Sequence, residues 1–320
     1  APSMSAVGYY FARRILATEK VPIGLIHLAI GGAPIETFIS KQAFKEHPEF
    51  YLKAKGNWLY NDALADWVRE RGRQNVGKRF IYADCNGPNH AYKPGFAFKS
   101  GVQPLKGFPI KGILWYQGES NAQEMARVME YNALQKLMVA ELRELWKQPE
   151  LPFYYTQLSS IDTLQYKGQL WPAFRNQQRL FLQQTKNTGM AVTSDVGAKD
   201  DVHPRDKKTV GERLSLWALR DVYYHDITVS GPLVSKATYR RGQLIVDFTS
   251  VGKGLACKGK RLLGFYVDGK AVQAQIKGKR VLIKVQEKPK EVAYGLSSFS
   301  RGNLINKEGL PASTFIVRVE

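Results

Sequence analysis

Three short strings in this chain gather side chains able to do acyl-transfer chemistry. In Asp200-Asp201-Val202-His203-Pro204 two carboxylates precede a histidine by two and three residues. A carboxylate held beside an imidazole fixes its tautomer and stabilises the imidazolium, as a general base requires. Such a spacing also arises by chance, and a lone histidine more often sits on a surface or in a satisfied core. Trp115-Tyr116-Gln117-Gly118-Glu119-Ser120-Asn121 clusters four polar side chains. Gln117 could donate its amide to an oxyanion, and Glu119 could orient a histidine or bind a hydroxyl. Ser120 or Asn121 would also suit a helix cap, a role that leaves the rest of the cluster unused. Gly31-Gly32-Ala33-Pro34 pairs two glycines, which let a backbone approach a ligand and offer bare N–H groups, or simply make a strand-to-helix turn.

Each string follows a short apolar run. Residues 23–30, 112–116, 152–158 and 190–194 read as buried parallel strands. Helical patterns cover residues 5–19, 122–146, 171–185 and 209–223, and residues 54–71 could form another helix. Strand and helix in alternation predict a parallel α/β sheet, whose ligands gather at the carboxyl ends of its strands. Residues 86–107, rich in Gly, Pro and Lys, read as a long surface loop. After Ser230-Gly231-Pro232 the pattern changes to short runs at 233–239, 243–249, 262–267, 271–276, 281–286, 291–296 and 314–319, separated by Gly/Lys turns. The chain therefore divides into an α/β domain at 1–228 and an all-β, sandwich-like domain at 229–320.

The 44% hydrophobic content of the 320 residues supports a real core and excludes a wholly disordered chain. No apolar run approaches the ~20 residues of a membrane-spanning helix. Cys85 and Cys257 are too few for a disulfide scaffold or a multi-cysteine zinc site. Residues 1–5 have neither the basic nor the long apolar region of a signal peptide. Net charge is +19, and residues 229–320 hold 17 basic against 6 acidic residues. Such a balance could serve nucleic acid or an anionic polysaccharide. No nucleic-acid motif is present, and aromatics do not interleave with the basic runs at 252–261 and 277–290, so an anionic glycan is the better partner.

Together the strings resemble the sialate O-acetylesterase family of SGNH-type hydrolases. The resemblance runs through Val21-Pro22-Ile23-Gly24-Leu25-Ile26, Gly31-Gly32-Ala33-Pro34-Ile35-Glu36, Trp115-Tyr116-Gln117-Gly118-Glu119-Ser120-Asn121-Ala122 and His203-Pro204-Arg205-Asp206-Lys207. It continues through Ser230-Gly231-Pro232 to Asn306-Lys307-Glu308-Gly309-Leu310-Pro311-Ala312-Ser313. It implies a serine esterase with a flavodoxin-like sheet, helices on both faces, and β-rich accessory regions. It implies removal of acetyl groups from sugar hydroxyls, classically the 9-position of sialic acids, without metal or cofactor, in a periplasmic, secreted or lysosomal setting. Carried over, His203 is the general base and Asp200 its orienter, with Asp201 a rival. Gly32, through its N–H, and Gln117, through its amide, are the oxyanion donors. Glu119 is a second candidate for supporting the histidine.

One departure stands out. The family's nucleophile lies in a Gly-Gln-Ser-Asn-Met segment upstream of Val21-Pro22-Ile23-Gly24, and this chain has no such segment. In the order 2-1-3-4-5, losing strand 1 strips partners from both neighbours. Each buried unpaired group costs about 1–3 kcal/mol, against a total stability of about 5–15 kcal/mol. The expectation is a second polypeptide carrying the N-terminal part and the serine. Smaller departures are Ala33 for Thr, Phe38 for Trp, and Lys99-Ser100-Gly101 for Asn-(Gly/Ala)-Met, the last placing a cation near the expected site. Two other readings remain. Gly118-Glu119-Ser120-Asn121-Ala122 approaches a nucleophile elbow, and Ser120, Asp200 and His203 follow the α/β-hydrolase order, although Ala122 replaces Gly and the Asp-to-His spacing is short. Without any serine, the chain would be a non-catalytic anionic-glycan-binding fragment.

Overall fold

The computed structural model describes residues 4–77, 82–162 and 164–320. Three parallel strands, β3 (Ile113–Trp115), β4 (Phe153–Gln157) and β5 (Thr188–Val192), form the central sheet in that order, with Leu114 opposite Tyr154 and Tyr154 opposite Gly189. A short hairpin, β1 (Tyr82–Asp84) and β2 (Gly87–Pro88), lies earlier in the chain. Helices cover both sheet faces. On one, α4 (Met125–Trp146) and α5 (Trp171–Gln184) pack Met138, Phe174 and Phe181 against Phe153 and Tyr155. On the other, α1 (Ala6–Glu19) and α6 (Lys207–Asp221) pack Ile15, Val210, Leu214 and Trp217 against Tyr154 and Ala191. The alternating burial of adjacent β4 residues on two cores is the pleat at work. Close approach of α1 to α6 depends on Gly211, where a Cβ would strike the Val7 carbonyl and the Phe11 amide.

Three expected elements differ. Residues 86–107 are not a surface loop throughout: Phe98–Val102 forms a helical turn, and Ala97, Phe98 and Val102 enter the main core. Residues 23–30 form no strand: among the described residues the backbone of 21–29 makes no backbone hydrogen bond. An apolar run becomes a strand only when a neighbour accepts its ladder, and among the described residues β3 pairs on its β4 side alone. Accordingly Val21, Ile26 and Leu28 are 37%, 47% and 36% exposed. Residues 54–71 are not one helix. Gly56 turns left-handed (φ 60°), the Asn57 side chain accepts from Leu59 N and that of Asn61 from Ala63 N, so regular helix starts only at α3 (Asp66–Val76). Side chains that bond the nearby backbone compete with the helical ladder in this way. The remaining helix of this region is α2 (Lys41–Glu46), capped by Ser40, whose hydroxyl accepts from Ala43 N.

Beyond residue 232 the chain is antiparallel. One sheet has the order β10 (Lys270–Ala271), β9 (Phe265–Val267), β13 (Glu291–Tyr294), β15 (Phe315–Arg318). The other has the order β11 (Gln275–Lys277), β12 (Arg280–Lys284), β7 (Gln243–Thr249), β6 (Leu233–Arg240). Val246, Val281 and Ile283 from one sheet meet Phe265, Val292 and Phe315 from the other in a shared core. A further pair, β8 (Leu255–Cys257) with β14 (Leu304–Asn306), is invisible in the sequence because each strand has three residues and no alternation to read. The antiparallel sheets are sutured to the parallel one by polar contacts. Arg175, fully buried on α5, donates to the carbonyls of Gly295 (3.0 Å) and Ser297 (2.8 Å). Burial draws its guanidinium down to about 9.

Candidate active site

The loops leaving β3 and β5 at their carboxyl ends carry two of the three chemistry-bearing strings, and Gly31-Gly32-Ala33-Pro34 lies ahead of β3 in the chain. After β3 the backbone turns at Gly118 (φ 152°), where a Cβ would collide with the Phe174 ring, so only glycine allows this approach. The turn sends Gln117 and Asn121 inward. Gln117 Nε2 donates to Asn121 Oδ1 (2.8 Å) and to the Ala33 carbonyl (3.2 Å), and its Oε1 accepts from Tyr131 OH (2.8 Å). Both amide hydrogens of Gln117 are thus engaged, and the side chain is buried. Asn121 Oδ1 also accepts from Ile35 N (3.0 Å), while Asn121 Nδ2 donates to Glu36 Oε2 (3.0 Å).

Glu36 and Lys53 complete this network. Lys53 Nζ, almost wholly buried, donates to Glu36 Oε1 (2.9 Å), to Glu130 Oε1 (2.7 Å) and to the Ala63 carbonyl (3.0 Å). Burial alone would raise the Glu36 carboxyl; the Lys53 charge and the hydrogen bonds from Asn121 and Lys53 outweigh it, and the net shift is downward. Glu130 shares the same ammonium yet is raised, by burial first, because the ionised Glu36 lies beside it. Sequence inspection singled out neither Lys53 nor Tyr131. No local signal marks Lys53, whose partners come from 17 and 77 residues away.

Gly32 sits against this network in a left-handed conformation (φ 70°), with the Tyr92 hydroxyl where a Cβ would be. Its carbonyl accepts from Ser120 Oγ (2.8 Å), and among the described residues its N–H has no partner. Ser120 is buried with its hydroxyl proton directed at that carbonyl, and no histidine contacts it among the described residues.

The loop after β5 brings the histidine to one carboxylate. His203 is 85% exposed; its backbone N–H donates to Asp201 Oδ1 (2.7 Å), and its Nδ1 lies 3.9 Å from the same oxygen. Asp200 is exposed and makes no hydrogen bond or ion pair among the described residues. Of the two rivals, Asp201 is the one the structure brings to the imidazole. Glu119 is raised above its ordinary value by burial, and is pulled back by backbone hydrogen bonds at its own and the Gly118 amide and by the charges of His203 and Lys207. Burial and the Glu119 charge likewise push the Tyr116 phenol up. Lys207 stands 5.6 Å over the Tyr116 ring, and burial lowers its ammonium against the attraction of Glu119 and Asp201. Its signal in the sequence is a basic residue in the first turn of α6, where the helix dipole disfavours a cation. Lys99 is exposed on the turn Phe98–Val102 and has no side-chain bond to this group.

A backbone N–H without a partner among the described residues, a histidine beside Asp201 and a buried polar platform are groups of the kind that acyl transfer uses. Residues 97–219 match the family of carbohydrate esterases described as sialic acid-specific acetylesterase. The chain is kin to the sialate O-acetylesterase family. It is 30% identical over 259 residues to a sialate O-acetylesterase of Rattus norvegicus, covering 73% of this chain and 46% of that protein. The Homo sapiens sialate O-acetylesterase is 31% identical over 250 residues, covering 73% and 42%. The chain thus spans less than half the length of these curated relatives. A carbohydrate acetylesterase from Xanthomonas citri superposes with a TM-score of 0.77 at 28% identity, over 98% of this chain and 65% of that one. Gly118, Glu119, Ser120, Asn121, His203 and Lys207 all fall inside the stretch that matches the acetylesterase family; Gly32, Glu36 and Lys53 precede it. Among the described residues, no helix is long and apolar enough to cross a membrane.

Proposed function

We propose that this chain is part of a carbohydrate O-acetylesterase that removes acetyl esters from sialic acid or related glycans, outside the cytoplasm, in the periplasm, a lysosome or the medium. The observation that carries the reading is the Asp201–His203 pair on the loop after β5, with the Glu119 carboxyl on the loop after β3 near enough to feel the His203 charge. A serine hydroxyl attacks the acetyl carbonyl as His203 takes its proton, with Asp201 and Glu119 stabilising the imidazolium. The developing oxyanion is received by Gly32 N–H, a donor of a kind whose loss costs about 3–4 kcal/mol of barrier. Gln117 acts by holding the Ala33 carbonyl and so aiming the Gly32 amide; direct donation to the oxyanion requires release of its 3.2 Å bond to Ala33. His203 then protonates the departing sugar oxygen, and water attacks the acyl-serine to release acetate.

The serine comes from a segment outside these 320 residues, on a strand that lies between residues 21–30 and β3. Supporting this are the unladdered apolar run with Val21, Ile26 and Leu28 exposed, and the unpaired outer edge of β3. A strand between them would satisfy both sets of backbone groups. The test is acetate release from 9-O-acetylated sialic acid by the purified protein with and without a serine-directed sulfonyl fluoride, followed by denaturing intact-mass spectrometry. Label on a serine of a segment outside residues 1–320 is the expected result. Label on Ser120 would establish the α/β-hydrolase-like alternative, and absence of both turnover and label would overturn the esterase reading.

A further inference from the structure

We propose that the solvent face of the β11–β12–β7–β6 sheet is a binding surface for acidic polysaccharide, separate from the esterase site. Side chains alternate across this sheet, so Val246, Val281 and Ile283 enter the core while their neighbours face water. Register then aligns the outward residues in rows. Lys284 lies opposite Gln243, and Gln243 opposite Arg240. At the other end Lys277 lies opposite Arg280, Arg280 opposite Asp247, and Asp247 opposite Lys236. The face therefore presents five cations and one carboxylate, and Asp247 is taken by Arg280 at 2.6 Å. Among the described residues, Arg240, Lys284 and Arg241 have no side-chain hydrogen bond and no ion pair.

The Lys284 row opens into a cleft of 670 Å³ at the β6–β7 turn, lined by Arg240, Arg241, Gln243, Lys284 and Gln286, with no acidic residue. Arg241 (φ 46°) and Gly242 (φ 77°) are both left-handed, the geometry of a two-residue hairpin turn. Asn or Gly normally fills the first of these positions, so a bulky arginine there is held against its own preference and brings a third cation to the rim. With strands ~4.8 Å apart, Lys284 and Arg240 stand ~10 Å from each other, able to take separate anionic groups of one chain. The outward residues between the two cationic rows include Ile245 and Leu282, and among the described residues no aromatic side chain stands on this face. Nucleic acid held on a basic sheet ordinarily stacks its bases on aromatics. The preference for a polysaccharide among polyanions also rests on the carbohydrate reading above.

The test compares the full chain with an R240Q/R241Q/K284Q variant for binding to heparin, polygalacturonate, dextran and single-stranded oligothymidylate, with salt varied. The wild type is expected to bind heparin and polygalacturonate, to lose them as salt rises, and to ignore dextran. The variant is expected to bind about tenfold more weakly, with an unchanged melting temperature and unchanged hydrolysis of p-nitrophenyl acetate. Equal binding by the variant, no binding by the wild type, or tighter binding of oligothymidylate than of polygalacturonate would each overturn the proposal. Binding is read without turnover, so an inactive esterase leaves this result intact.

Discussion

Asp201 Oδ1 accepts the backbone N–H of His203 at 2.7 Å and lies 3.9 Å from its Nδ1. Asp200, one residue earlier, touches neither. If this pairing serves the imidazolium, Asp201→Asn lowers kcat by ~10²–10⁴ while Asp200→Asn stays within about twofold, and His203→Ala costs ~10³ or more. Acetate release from p-nitrophenyl acetate, measured for all three variants, checks the ordering. A larger loss in Asp200→Asn than in Asp201→Asn would transfer the role to Asp200.

Glu119 should show a trade between stability and turnover. Burial raises its carboxyl above the ordinary 4.5, and the His203 and Lys207 charges and local backbone bonds only partly reverse this. The sign follows: the folded chain holds this proton more tightly than the unfolded chain, so folding is penalised as pH rises above 4.5 and the carboxylate forms. Glu119→Gln removes the penalty, and its melting temperature at pH 7 should exceed that of the wild type by about a degree or two. Turnover should fall at least about tenfold if the Glu119 charge supports the His203 imidazolium. A variant both less stable and fully active would show that Glu119 is structural.

What the sequence disclosed follows from how local each signal is. The helices α1, α4, α5 and α6 and strands β3 to β5 were legible because long 3.6-residue periods and bounded apolar runs need no knowledge of partners. Residues 23–30 misled for the complementary reason: an apolar run reports what the chain can bury, whereas a strand also requires a neighbour. The strings around Gly32, Glu119 and His203 were legible as clusters of unusual composition. Lys53 was not, since its meaning lies in two carboxylates remote in sequence. Nor was the state of the Gln117 amide, because the identity of a side chain says nothing about whether its donors are already spent.

Lys53 offers a test of the buried platform. Its ammonium holds Glu36 and Glu130 at 2.9 and 2.7 Å, all three on the inner side of the site. Removing one member of a buried pair leaves an uncompensated charge, so Lys53→Met should destabilise the fold by about 3–5 kcal/mol. In the wild type, Glu36 is lowered below 4.5, so its stabilisation is present above that pH and is lost as pH falls through the lower folded value. In Lys53→Met the attraction is gone and burial remains. The carboxyl then shifts upward, and acidification should stabilise the variant where it weakens the wild type. Urea denaturation of both proteins across pH 3.5–6 would reveal the change of sign, and parallel curves would refute it.

Ser120 separates the two accounts of the nucleophile. Its hydroxyl donates to the Gly32 carbonyl at 2.8 Å, fastening the loop after β3 to the turn that carries the Gly32 amide. In Ser120→Ala that bond is lost and the carbonyl loses a partner, a change of about 1–1.5 kcal/mol. If the bond serves to aim the Gly32 N–H, kcat falls by about tenfold with KM little changed, since about 1.4 kcal/mol of barrier is a factor of ten. Under the proposed reading, in which the reacting hydroxyl lies elsewhere, sulfonyl fluoride inactivation should proceed in this variant as in the wild type. A loss of ~10⁴ or more together with resistance to the inhibitor would instead make Ser120 the nucleophile. His203 would then have to reach it from a position at which 85% of its side chain now faces solvent.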